Sequence, residues 1–499
     1  MVVLESDHHL STGSRAIAFA KRTLEIWDRL EVANDVVRKG TSWSLGKVFL
    51  KKTLLYQFNL LPETGHERPA FVNLQQYYCE AFLVERALDL PNIDMRWGNK
   101  VTATAIRDDG VSLTVATPEG DYRIDAEWVV ACDGAHSTVR SLMGLESKGQ
   151  VFKDRFLIAD VKMKTDFPTE RWFCFDPPFH PNQSVLLHRQ PDNIWRIDFQ
   201  LGWDADPEEE KKPKNILPRV RALLGQETEF ALEWASVYTF ACLRMDKFVH
   251  GRVIFAGDSA HGVSPFGGRG ANSGVQDADN LGWKLDWMLR GKAVETLLAS
   301  YGAERQNAAD ENILNSTRAT DFITPKSAIS RLFRDQVLAL ARTHEFARRL
   351  VNSGRLSVPA TLTESPLNTP DQDDFAGRQV PGAPLTDAPV LKPNGAVSWL
   401  LRELGPEFTL LIFGDAPAWS AALPNVKSLS IGNDILDSEG LVAQRMDATP
   451  CTAYLIRPDR HVCARWRTPT ESAVRGALAT ATGFECAKTS RLTGELHGT

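Results

Sequence analysis

Several things are scarce in this 499-residue chain, and each absence excludes a class of protein. No apolar run approaches the ~18–20 residues that a membrane span needs. No charge dominates: 57 Lys and Arg against 63 Asp and Glu leave a formal charge of −6. That balance argues against nucleic acid or an anionic membrane surface as the main partner. The seven cysteines (79, 132, 174, 242, 451, 463 and 486) form no CxxC and no metal-ligand spacing, which predicts reduced thiols in a cytoplasmic protein and no metal site. There are no internal repeats. At ~150 residues per domain the length predicts about three domains, enough core to fold without disulfides.

The chain opens on MVVLESD, which reads as a short buried strand ending at Glu5 and Asp7, without the basic, apolar and small-residue order of a signal peptide. After the polar loop STGSR (11–15), a helix is expected from about Ala16, with Ala20, Leu24, Trp27 and Leu30 on one face. Residues 43–58 alternate as strands. A second helix is expected over 73–88, with Cys79, Phe82, Leu83 and Ala87 inward. Two strands, 101–106 and 111–116, flank Asp108-Asp109-Gly110, a turn sequence that favours positive φ. Tyr122–Ile124 adds a third, and WVVA (128–131) reads as a buried strand.

Residues 151–240 change character, with little helical period and many aromatic and β-branched residues. Segments 171–175, 184–188 and 195–201 predict strands of one antiparallel sheet, and EEEKK (208–212) a solvated loop. Strand 252–256 leads into a Gly-rich loop and a long helix, about 272–290, with helical pattern continuing to about 351. Seven prolines between Pro359 and Pro393 mark a linker or wrapping segment. The tail reads β-α-β-β-β-α, with strands at 407–414, 426–431, 452–458 and 461–466 and a helix at 471–482. This is similar to a thioredoxin fold, but one without the cysteines that redox exchange requires.

The strongest chemical signal is RVIFAGDSAHGVSPFGGRGANSGVQDADNLGWKL (252–285). A buried strand delivers Gly257-Asp258 at its carboxyl end, where α/β folds place ligands, and the carboxylate can accept hydrogen bonds from ligand hydroxyls. Pro265, Gly267, Gly268 and Gly270 let backbone approach something flat and bulky. The following helix would offer free N–H groups near Gly270, Ala271 and Asn272 to negative charge. A GxGxxxG within it (268–274) has the wrong spacing for a dinucleotide loop. The second signal is WVVACDGAHSTVRSLMGL (128–145), a strand ending in Asp133-Gly134; alone, such a turn capping a helix is commonplace.

Together, in this order and about 125 residues apart with a β-rich insert between them, the segments resemble the DG and GD motifs of the flavin-dependent aromatic monooxygenases with the para-hydroxybenzoate hydroxylase fold. The tail is similar to that of the 3-(3-hydroxyphenyl)propionate hydroxylase and phenol hydroxylase branch, and the resemblance covers nearly the whole chain. It implies an α/β fold with an FAD-binding Rossmann-like domain (1–150 and 241–355), an inserted antiparallel substrate sheet (151–240), a linker (356–395) and a thioredoxin-like domain without CxxC (396–499).

By the same resemblance, Asp258 would bond the ribityl chain of FAD and Pro265 would sit by the reactive edge of the flavin. The amides of Gly270–Asn272 would face its pyrimidine end. Gln76, Arg15 and Asp133 match family residues that bind FAD, and Glu5 matches the acid on the adenosine ribose. The implied reaction is hydroxylation of a phenolic or other small aromatic ring: NADH or NADPH reduces the flavin, O2 adds at C4a, and the hydroperoxide delivers oxygen. A halogenase or epoxidase on the same fold is the competing enzyme reading.

One departure stands out. In the family a strand, a GxGxxG loop and a helix precede Glu5 by roughly 25–30 residues. Their absence here predicts weak FAD binding and a sheet without its central strand, and makes a remnant unable to hold FAD the non-enzymatic alternative. Among single residues, His261 is expected to be a hydrogen-bonded structural histidine and Cys132 a small buried residue. Arg196, Asp198 and Gln200 alternate at period two, so they share one face with which, together with His188, they could orient a phenol or carboxylate. A solvated or core-edge face is the plainer reading for them. A homodimer is left open.

Overall fold

The computed structural model describes residues 1–165, 167–351 and 356–484. Cys486 and the rest of the tail after residue 484 lie outside the described residues. Strand Val253–Phe255 is wholly buried and pairs in parallel with Val129–Ala131, register Val129 to Val253 and Ala131 to Phe255. The two sequence motifs therefore leave neighbouring strands at the same end. Val2–Leu4 pairs in parallel with Asp94–Arg96 in a separate two-stranded sheet, and no strand joins the two sheets among the described residues. The expected meander is present as an antiparallel trio, Lys100–Ile106, Val111–Ala116 and Tyr122–Ala126. Its Asp108–Gly110 turn closes without positive φ at any of the three residues, a correction to the turn chemistry expected there.

The largest sheet has eight strands. Their order is His261–Gly262, Ala231–Met245, Ser147–Lys162, Ile194–Leu201, Ser184–Arg189, Arg171–Phe175, Leu45–Leu50 and Thr53–Asn59. It is mixed rather than purely antiparallel, because Arg171–Phe175 runs parallel to Leu45–Leu50. Segment 45–59 thus joins the sheet from far upstream. The two long strands pair with register shifts near Val151–Arg155 and Asp160–Val161. Such bulges break the period-two alternation by which a long strand is read.

One face of this sheet (Leu157, Ala159, Ile197 and Phe199) packs under a helix, Pro213–Leu224, through Ile216, Val220 and Leu224. That helix corrects the expectation of little helix in 151–240, and EEEKK begins in a short turn of helix, Pro207–Glu210, rather than in a loop. The other face carries Phe156, Phe173, Phe175 and Phe240 toward Phe266 and the helices Leu297–Ile323 and Ala328–Ala341. At the front, Ala18–Ala20 is a strand and the helix starts at Lys21. Leu24 and Trp27 are buried as expected, but Leu30 is exposed.

Segment 356–395 wraps along the molecule with Leu362, Leu367 and Leu385 buried, and its Pro389–Leu391 pairs with Val397–Trp399. The final sheet is ordered Val426–Ile431, Phe408–Phe413, Ala453–Ile456, Val462–Trp466. Its α-helix between strands (Leu441–Met446) follows the second strand, and only a 3-10 turn follows the first, which alters the order read from sequence. Phe408 and Leu410 pack on Trp283 and Trp287 of the helix Gly270–Leu289.

Beneath that contact lies an ion network without solvent access. Glu304 receives Lys284 Nζ at 2.6 Å and Arg457 Nη1 at 2.6 Å, and Arg457 Nη2 reaches Asp459 at 2.6 Å; all four side chains are 0% exposed. Asn280 donates to Glu304 and Asp459, and Ser365 donates to Glu304. Burial opposes ionisation of Glu304, but Arg457 and Lys284 hold its carboxyl far below the ordinary range. Removing one partner strands the others in a dry site. Glu304→Gln should therefore cost about 3–5 kcal/mol of stability in urea unfolding at neutral pH. A loss below about 1 kcal/mol would show the network to be of little energetic weight.

Candidate flavin site

Gly257 sits at φ +63°, a left-handed conformation that suits glycine, and a Cβ on Gly274 would lie 3.4 Å from its Cα. The end of strand Val253–Phe255 can therefore lie against the helix Gly270–Leu289. One buried carboxylate holds the turn. Asp277 accepts the Gly257 N–H at 2.9 Å and contacts His261 Nε2 at 2.7 Å and Arg305 Nε at 2.6 Å. Burial would raise its pKa, but the charges of His261 and Arg305 outweigh this and hold it at about 2. His261 is thus the hydrogen-bonded buried histidine its position suggested. Asp277 and Arg305 were not singled out from sequence. The only available signal was an acid one helical face along from the glycines, with no way to know its partner 28 residues away.

With the turn fixed, Asp258 points outward. Its side chain is exposed, and its carboxylate accepts no hydrogen bond from a described residue. Surrounding protein raises its pKa, the charges of His261 and Arg15 work against that, and Asp277 adds to it. Arg15 is itself exposed and interacts with Tyr238 on the large sheet. Asp258 and Arg15, far apart in sequence, therefore act on one space. The helix beginning at Gly270 has no side-chain cap. Its first intrahelical bond runs from Ser273 N to Arg269 O, so the N–H groups of Gly270, Ala271 and Asn272 are left for another acceptor. Pro265 is exposed at the start of the loop, whose Gly268 N–H returns to Pro265 O at 3.2 Å.

Other expected site residues are engaged elsewhere. The Asn272 side chain is a clasp: Oδ1 accepts from Ala20 N at 2.8 Å and Thr23 Oγ1 at 2.6 Å, and Nδ2 donates to Ala18 O at 2.8 Å. Asp133 caps its own helix, accepting from Ser137 Oγ at 2.5 Å and Val139 N at 2.9 Å. Arg140 then ties that helix to Ser259 O at 2.7 Å, joining the two motifs. Gln76 accepts from Ala16 N at 3.1 Å and donates to Glu80 at 2.7 Å. Its neighbour Gln75 is the buried amide whose oxygen and nitrogen both lack partners. Glu5, half-buried at its strand end, accepts from Asp7 N at 2.9 Å.

Arg196 corrects the substrate-contact expectation. Four of its five guanidinium N–H groups donate to Asp160, at 2.8 and 2.7 Å, and to the carbonyls of Ser14 and Arg15. It fastens the sheet to the 11–15 loop. Asp198 keeps one oxygen unpartnered and lies 3.6 Å from His188. Cys132, expected to be buried, is exposed.

Behind the Pro265–Gly268 loop is a cavity lined by Phe58, Phe173, Phe175, Phe266 and the cations Arg171 and Arg269. A carboxylate that accepts no hydrogen bond from a described residue, an uncapped helix start twelve residues further along the same segment and an aromatic cavity behind the connecting loop suit a ligand that has hydroxyls at one side and takes negative charge at the other. Flavin has both, so the residues present fit FAD, and the fold and site define a flavin-binding α/β protein.

A family model described as FAD binding domain matches residues 1–316. The NADH-specific resorcinol 4-hydroxylase assigned as probable in Rhodococcus jostii (strain RHA1) is 29% identical over 494 residues, 95% of this chain and 88% of that protein. The 3-(3-hydroxy-phenyl)propionate/3-hydroxycinnamic acid hydroxylase of Escherichia coli (strain K12) is 26% identical over 424 residues, 84% of this chain and 74% of that one. The crystal structure of the flavin-dependent monooxygenase PieE with FAD and substrate shares the fold at a TM-score of 0.82 and 20% identity, covering 96% and 94% of the two chains. The chain belongs to the FAD binding domain family and is an enzyme of the FAD-dependent aromatic monooxygenase type. No described helix is long and apolar enough to cross a membrane.

Asp277 carries the pH prediction of this site. A carboxyl depressed from 3.8 to about 2 on folding contributes stability that is complete above about pH 4 and is lost as pH falls through about 2. That contribution is about 2 kcal/mol. Asp277→Asn should flatten the fall in stability between pH 4 and 2, read by urea unfolding across that range. An unchanged slope would remove Asp277 from this role.

Proposed function

We propose that the chain hydroxylates a phenolic or other small aromatic compound, consuming O2 and NADH or NADPH. The observation that carries the reading is Asp258, a carboxylate held outward by the Asp277 turn that accepts no hydrogen bond from a described residue, within reach of the charge of Arg15 and beside a helix without a side-chain cap. Bound FAD would supply the chemistry of O2 activation after reduction by the nicotinamide.

The residues of the chain do the rest. Asp258 accepts hydrogen bonds from ligand hydroxyls. The N–H groups of Gly270–Asn272 favour negative charge at the helix end. The phenylalanine-lined cavity beside Gly267 would shelter an aromatic ring from water once its phenylalanines part. Asp198 and His188, on the sheet face turned toward that cavity wall, are the acceptors available to a phenol hydroxyl. NADH is favoured by the name of the Rhodococcus relative, and a small phenolic substrate by the names of both hydroxylase relatives.

The test is FAD titration of purified protein, followed by flavin fluorescence, with NADH oxidation measured with and without resorcinol. Protein that binds FAD and oxidises NADH faster with the phenol supports the reading; protein that stays colourless in excess FAD overturns it. Asp258→Ala should weaken FAD binding by about tenfold or more, as loss of a charge-assisted hydrogen bond does, without unfolding the protein.

A further inference from the structure

Across the large sheet, one row of polar side chains faces the aromatic cluster. Trp172 lies opposite Leu187, so the preceding Arg171 falls opposite His188. His188 in turn lies opposite Arg196, and Arg196 opposite Asp160. Inside the row Arg196 and Asp160 satisfy one another. His188 meets Asp198 at 3.6 Å, one step along the neighbouring strand. Arg171, at the end of the row, is left over. It is 9% exposed, and its guanidinium makes no hydrogen bond to a described residue. The charge that acts on it is Asp198, at longer range, and although burial pushes its pKa down to about 10 it stays protonated at neutral pH.

A largely buried guanidinium that makes no hydrogen bond to a described residue is costly unless water or a ligand supplies acceptors. Here the fork lines the same cavity as Phe58, Phe173, Phe175 and Phe266, which offer ring faces and edges and no acceptor. Its geometry matches a carboxylate, which it can grip with two parallel bonds. The open space is about 30 Å³, room for about two waters, so a ring would enter only by parting the phenylalanines.

We infer that Arg171 is a specificity-determining residue that receives the carboxylate of an aromatic acid, whose ring lies among Phe58, Phe173, Phe175 and Phe266. This rests on the monooxygenase reading for its place in a reaction, but the binding it describes can be measured without turnover.

The experiment is calorimetric titration of the full chain with 3-hydroxybenzoate and with resorcinol, each with and without excess FAD, for the wild type, Arg171→Met and Arg171→Lys. The wild type should bind the acid at least about tenfold more tightly than the neutral phenol, the worth of a charge-assisted hydrogen bond. Arg171→Met should bring the two within about threefold by weakening the acid alone, and Arg171→Lys should keep part of the preference. Without ligand, Arg171→Met should melt no lower than wild type, because it removes an unpaired buried charge; a guanidinium serving only to hold the fold would give a lower Tm. Equal wild-type affinities, binding of neither probe, or a preference that survives Arg171→Met would each overturn the assignment. Should Arg171→Met not fold, the assignment fails, since a ligand receptor is dispensable to the fold. Failure of FAD binding alone would count against the monooxygenase reading and leave the anion preference to be read from the FAD-free titrations.

Discussion

Asp277 is the constraint on which the rest of the candidate flavin site depends. Its carboxylate has no access to water and meets three donors from separate parts of the chain: the Gly257 amide, His261 and Arg305. In a low-dielectric interior a charge so placed is tolerable only when its partners are in position, so the turn, the helix carrying Asp277 and the helix carrying Arg305 hold one arrangement. Asp258 is the next residue after the held glycine. Its outward direction, and hence its availability to a ligand, follows from that clasp and from the glycine pair that lets strand and helix approach.

A second dry network uses the same helices for a different purpose. Lys284 is two turns beyond Asp277 on one helix, Glu304 immediately precedes Arg305 on the other, and Arg457 and Asp459 come from the turn joining Ala453–Ile456 to Val462–Trp466. The two helices are thus fixed at one end by the candidate site and at the other by the C-terminal tail. Two formal cations balance two anions in the core of the network, and Asn280 and Ser365 take up remaining bonding capacity. Such a contact contributes less than apolar packing would per unit of buried surface, but it penalises any displacement that separates the charges. A module that lacks redox cysteines thereby has a structural part in holding the helix that opens onto the flavin site.

Much of this was legible in sequence where the pattern was local. The GD segment with its buried strand, the strands of the meander and the four strands of the tail fell where periodicity put them, because each is decided within ten residues or so; the strand before the DG motif also formed, but with Val130 exposed rather than buried on both faces. The large sheet was less legible. Its long strands carry register shifts that scramble alternation, and two of its strands arrive from residues 45–59 through a parallel pairing no local signal announces. Arg196 shows the same limit at one residue. Alternation placed it on the right face, but only the register across to Asp160 and the approach of the 11–15 loop decided that its charge would be consumed.

The sequence by itself placed glycines, an acid and a helix start in an order that suits a flat ligand with negative charge, and the family resemblance carried by that order implied FAD. It also indicated a sheet-and-helix tail without the CxxC pair of a redox module, since Cys451, Cys463 and Cys486 are widely spaced. Tertiary structure alone decided which charges remain free to meet a ligand. Asp133, Asn272 and Arg196 are spent on the protein, while Asp258 and Arg171 are not. The reason is physical: a side chain's chemistry is fixed by its identity, but whether its hydrogen-bonding capacity is already satisfied depends on partners tens to hundreds of residues away, which only folding brings within reach.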